Sequence, residues 1–85
     1  MDYTTILTKA INDLFTPETP VVLSDPNQRL SDLYVEDDDA AIEVGIEVEN
    51  IIIDFHGITP PDLDQTLKAN MTVGEAVAAL ATALG

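Results

Sequence analysis

Residues 40–49, AAIEVGIEVE, obey two periodicities at once, and the one the backbone follows decides the fold class. From Ile42 to Glu49 apolar residues recur at every second position, the pattern of a half-buried strand, and β-branched Ile and Val favour that reading. A strand needs another strand, however, and no second run of this kind exists in the chain; Pro20-Val21-Val22-Leu23 is too short to serve. Laid on a helix at about 100° per residue, Ala41, Val44, Val48, Ile51, Ile52 and Phe55 gather on one side. Ile42, Ile46 and Ile53 form a second, narrower stripe about 120° away, and Glu43, Glu47, Asn50 and Asp54 line a polar ridge. The spacing predicts a helix over 38–54, because a lone strand would leave its backbone groups unpaired. The acids in front of it, Glu36, Asp37, Asp38 and Asp39, then lie at the positive end of the helix dipole, and Asp37 or Asp38 caps it.

The rest of the chain reads as helix with one long connection. Tyr3, Ile6, Leu7, Ala10, Ile11, Leu14 and Phe15 fall at spacings of three and four, one face of an amphipathic helix with Asp2 as its N-cap and Pro17 and Pro20 beyond its end. Residues 16–36 form a polar connection anchored by Val21, Val22, Leu23, Leu30, Leu33, Tyr34 and Val35, with a short turn of helix expected near Gln28 to Leu33. TPPDLDQTLKANM, residues 59–71, suits a short helix with proline in its first turn. The final helix carries a capping box, Thr72 with Glu75, a stripe of Val73, Ala76, Val77, Leu80 and Leu84, and Gly85 where a C-terminus favours glycine. No repeat or linker divides the chain, so one domain over 1–85 is expected, all-α and of four helices.

Composition narrows the function classes. At 85 residues the core is modest, since a domain of this size buries roughly 60 % of its unfolded surface. There is no cysteine, which excludes a disulfide framework, a thiolate metal site and a cysteine nucleophile. The N-terminal segment has neither the basic region of a signal peptide nor a membrane-spanning apolar run, and a cytoplasmic protein is expected. Sixteen acids stand against Lys9, Arg29 and Lys68, a net charge of −13. That charge argues against nucleic acid as a partner, because almost nothing is present to neutralise phosphates; a basic protein surface, met by fast and salt-sensitive association, is favoured.

No site for chemistry emerges from the residue types. Asp25, Asn27 and Glu36 have the spacing of a calcium loop, but Arg29 takes a ligand position and Leu30 stands where a glycine is needed. The run 36–39 is better explained as a solvated helix start than as a cation site. His56 is the single histidine and cannot build a zinc site alone. It falls near a helix C-terminus, where its protonated form meets the dipole favourably. Ser24 and Ser31 lack a nucleophile motif. The chain is expected to be a monomeric non-enzyme without metal.

Helices in this order, together with Leu30-Ser31-Asp32-Leu33 and Met71-Thr72-Val73-Gly74-Glu75-Ala76-Val77, make the chain resemble an acyl carrier protein over nearly its whole length. The resemblance implies a small four-helix bundle, three long helices and one short, that docks on enzymes of fatty-acid, polyketide or related biosynthesis through its second helix. It also implies 4′-phosphopantetheine on the serine of an Asp-Ser-Leu motif at the start of that helix. The corresponding residues here are Asp37-Asp38-Asp39, with Asp38 or Asp37 at the serine position, so no hydroxyl is available and no cofactor is expected. The partner-binding residues are then expected to be Asp37, Asp38, Asp39, Ile42, Glu43, Ile46 and Glu47. The same charge without a carrier fold would suit an acidic inhibitor or immunity-type protein that binds a basic enzyme such as a nuclease.

Overall fold

A computed structural model describes residues 2–85. Its secondary structure is helical: α1 (Tyr3–Phe15), α2 (Asp38–His56) and α3 (Val73–Leu84), with a single 3-10 turn at Leu30–Asp32 and no strand among the described residues. The alternating run 42–49 lies inside α2, as its lack of a pairing partner predicts.

Each helix begins where the sequence places a cap. The Asp2 carboxylate accepts the N–H of Thr5, the Asp37 carboxylate accepts that of Ala40, and Thr72 with Glu75 forms the reciprocal capping box. α1 ends at Thr16, which adopts the left-handed conformation (φ 42°), and α2 ends at Gly57 (φ 64°), where glycine carries no Cβ penalty. α1 is the helix on which both others pack, α2 more extensively than α3. Ile6, Leu7, Ala10 and Ile11 of α1 meet Ala41, Val44, Val48, Ile51 and Ile52 of α2 and Val73, Ala76 and Leu80 of α3 in one buried apolar cluster. Phe55 departs from the expected stripe: it is 68 % exposed, and the Lys9 ammonium sits 5.3 Å from its ring centre, a cation–π contact at the surface.

The connection 16–36 is pinned rather than free. The Asn12 side chain accepts the N–H of Val21 at 2.8 Å and donates to its carbonyl at 3.2 Å, which lays this segment along α1. Leu23, Leu30, Leu33 and Val35 are buried anchors as expected; Val22 and Tyr34 are exposed instead. Tyr34 holds a left-handed backbone (φ 74°) that turns its ring outward onto Phe15, with centroids 6.4 Å apart.

The expected short helix at 59–71 is absent: residues 57–72 carry turns at 64–66 and 69–70, a bend at 71 and an isolated bridge from Thr72 to Arg29, but no helix. The reason is local. Pro60 and Pro61 disfavour the helical region at the residues before them. The N–H of Leu63 is then taken by the Glu49 carboxylate and that of Asp64 by Asp62, so helical carbonyls are not their partners. The segment still supplies Leu63, Leu67 and Ala69 to the core. It is joined to the earlier connection by backbone bonds, Leu30 N–H to Met71 O at 2.9 Å and Val73 N–H to Gln28 O at 2.8 Å. The described residues thus form an all-helical fold of three α-helices and one 3-10 turn, one α-helix fewer than the four expected.

Candidate docking surface

α2 turns one face to the core and leaves another partly open to solvent. Ile42 on that outer face is half-buried, Ile46 is 43 % exposed and Ile53 is 47 % exposed. Residues three and four apart share a helix face, so these isoleucines form a row. Glu43 and Asp54 are exposed and Glu47 half-exposed along one border of it.

The acids at the start of α2 divide by role. Asp37 is the N-cap, with its carboxylate 2.8 Å from the N–H of Ala40. Asp38 accepts the N–H of Ala69 at 3.1 Å and so ties the helix start to the segment before α3. Both carboxylates therefore have partners inside the chain. Glu36 and Asp39 are exposed, with Asp39 in the first turn where the dipole favours it. Asp25 of the calcium-like spacing accepts the N–H of Asn27, a local turn.

The outer border of the isoleucine row holds a feature that the linear pattern does not reveal. Glu49, Asp62 and Asp64 bring one carboxylate oxygen each within 4.8 Å of one another. Glu49 sits on α2, and its bond to the Leu63 N–H (3.2 Å) is what draws Asp62 and Asp64 to the helix. The hydrogen bond with the Asp62 side chain, then burial and the nearby negative charges of Asp62 and Glu49, hold the Asp64 carboxyl above its ordinary range. The spacing of the three oxygens suits one cationic group. The sequence signal was Asp62-x-Asp64 beside a double proline, but nothing in it connects that pair to Glu49.

Elsewhere Lys9 is paired with Asp13 at 2.8 Å, and Arg29 donates to the carbonyl of Asn70. An apolar groove edged by Thr4, Thr5, Thr8, Lys9, Val22 and Leu23 runs along α1. No helix among the described residues is long and apolar enough to cross a membrane. Neither a family model, nor a curated protein, nor a solved structure matches the chain.

Proposed function

We propose that this chain is an acyl-carrier-protein-like, non-enzymatic docking module that engages an enzyme of fatty-acid, polyketide or related biosynthesis through α2 and carries no prosthetic group. The observation that carries the reading is the exposed isoleucine row, with Ile46 and Ile53 near half exposure, set among acids on one helix of a chain with net charge −13. The isoleucines supply apolar contact area, and the acids steer toward Arg and Lys and exclude wrong partners. The order of elements supports it as well: a capped amphipathic helix, a long connection with a turn at Leu30–Asp32, an acidic second helix and a capping-box final helix follow the resemblance. The irregular segment 57–72 stands where the resemblance implies a short helix.

Intact mass after incubation with coenzyme A and a phosphopantetheinyl transferase tests the carrier part. The unaltered protein is expected to gain nothing, because Asp37 and Asp38 offer no hydroxyl. The double variant Asp38→Ser with Asp39→Leu is expected to gain one phosphopantetheine. Asp37→Ser, in which serine remains a good N-cap, resolves the register. Modification of the unaltered protein would overturn the account of the acids. Serine variants that fold and stay unmodified, with tight binding of a basic nuclease, would put the inhibitor reading in its place.

A further inference from the structure

The isoleucine row has a second acidic border. Glu49 lies three residues after Ile46 and four before Ile53, so it adjoins both on the helix surface. Glu43, Glu47 and Asp54 fall on the opposite side of the same row by the same geometry. A single α2 side chain would be a thin second border, but the Leu63 N–H bond to Glu49 brings Asp62 and Asp64 alongside. The acids on this side are thus drawn from two segments of the chain, packed within 4.8 Å of one another, and Asp64 is held above its ordinary range chiefly by its hydrogen bond with Asp62, with neighbouring negative charge adding to it. A cation placed there would relieve that repulsion.

Resting on the docking reading of α2, we infer that this face takes an amphipathic helix of a partner whose apolar row is bordered by Lys or Arg on both sides, one file seated on Glu49, Asp62 and Asp64. Charge complementarity commits the occupant. A second copy of this chain would bring another net −13 against the same acids, and an anionic lipid surface is repelled for the same reason. A partner helix with cations along one border only would leave one of the two acidic files unanswered.

The probe is a synthetic leucine–lysine peptide as long as α2, helical, with leucines along one face and lysines on both flanks, titrated into the full chain. Binding read by fluorescence anisotropy is expected to weaken roughly five- to tenfold in Asp62→Asn with Asp64→Asn, since two surface charge pairs of modest strength are lost. Both asparagines keep the side-chain oxygen, and Asp62→Asn can still accept the Asp64 N–H, so the segment retains its turn. Glu18→Gln with Asp25→Asn, which removes the same charge from the connection after α1, is expected to change binding by less than about twofold. Isoleucine methyl shifts at positions 42, 46 and 53, together with amide shifts at 62–64, would place the peptide between the two borders. Equal weakening by the two double variants would show unspecific attraction and overturn the inference. Binding lost in Ile46→Glu but untouched in Asp62→Asn with Asp64→Asn would overturn the second border and leave the α2 docking reading standing. Binding untouched in both would remove both. Concentration-dependent dimerisation through Ile46, or adsorption to phosphatidylglycerol vesicles, would overturn the occupant.

Discussion

The carboxylate of Asp38 accepts the backbone N–H of Ala69 at 3.1 Å, across 31 residues of chain. The bond fixes the start of α2 against a segment that has no helix of its own to order it, and Ala69 is buried. Asp38→Ala should therefore cost about 1–3 kcal/mol, the range for leaving a poorly solvated donor without its acceptor. Asp38→Asn, which keeps an oxygen acceptor, should cost less. Urea midpoints check this, and identical midpoints for wild type and Asp38→Ala would mean the bond contributes nothing to stability.

Gly45 offers a test by sign. A Cβ built there would lie 2.6 Å from the carbonyl oxygen of Leu63, a backbone atom that cannot rotate away. In an open helix Gly→Ala stabilises by about 1 kcal/mol. Here Gly45→Ala should destabilise, by about 1–3 kcal/mol, as overpacking does. A raised thermal midpoint would show that segment 57–72 does not approach α2 this closely.

Leu80 and Ile46 should separate core from surface. Leu80 is fully buried, so Leu80→Ala should cost about 2–5 kcal/mol through lost transfer energy and the cavity left behind. Ile46, 43 % exposed, should cost less than about 1 kcal/mol on the same change. Chemical denaturation of the two variants measures the difference, and equal losses would place Ile46 in the core.

Acid should act with opposite signs at different carboxylates. Glu75 is held below its ordinary range, first by the backbone hydrogen bond of Thr72, and Asp2 below its own, first by the side-chain hydrogen bond of Thr5. For a lowered carboxylate the stability is present above the unfolded value and is lost as pH falls through the folded one. Glu75→Gln should therefore show a shallower loss of urea midpoint than wild type on descending from about pH 6 to about pH 3. Asp64, held up first by the side-chain hydrogen bond with Asp62, runs the other way: its contribution is favourable in acid and is lost as pH rises through the raised value. Asp64→Asn should raise the midpoint at neutral pH and steepen its fall in acid. A neutral-pH midpoint at or below that of wild type would show that the three carboxylates do not repel one another.

Much of the helical framework was legible in the chain because its signals act within one turn. Asp2, Thr72 with Glu75, and the spacing of Ile6, Leu7, Ala10 and Ile11 set the ends and inner face of α1 and the start of α3. The double periodicity of 42–49 needed one global argument, that a strand without a partner cannot stand, and α2 follows it. Where local propensity met long-range partners it failed. Residues 59–71 carry a helix pattern, yet Glu49 takes the N–H of Leu63 and Asp38 that of Ala69, and the segment runs along α2 as irregular chain with two turns. Phe55 matched the core stripe by angle but lies near the end of α2, where α1 offers it Lys9 rather than a pocket. The candidate surface divides in the same way. Ile42, Ile46, Glu43 and Glu47 follow from helical geometry alone, whereas the Glu49, Asp62 and Asp64 border exists only because a backbone N–H in one segment found a carboxylate in another. Periodicity and capping depend on residues within about four positions of each other, while the packing of the connecting segments depends on which buried N–H groups the folded helices leave a partner for.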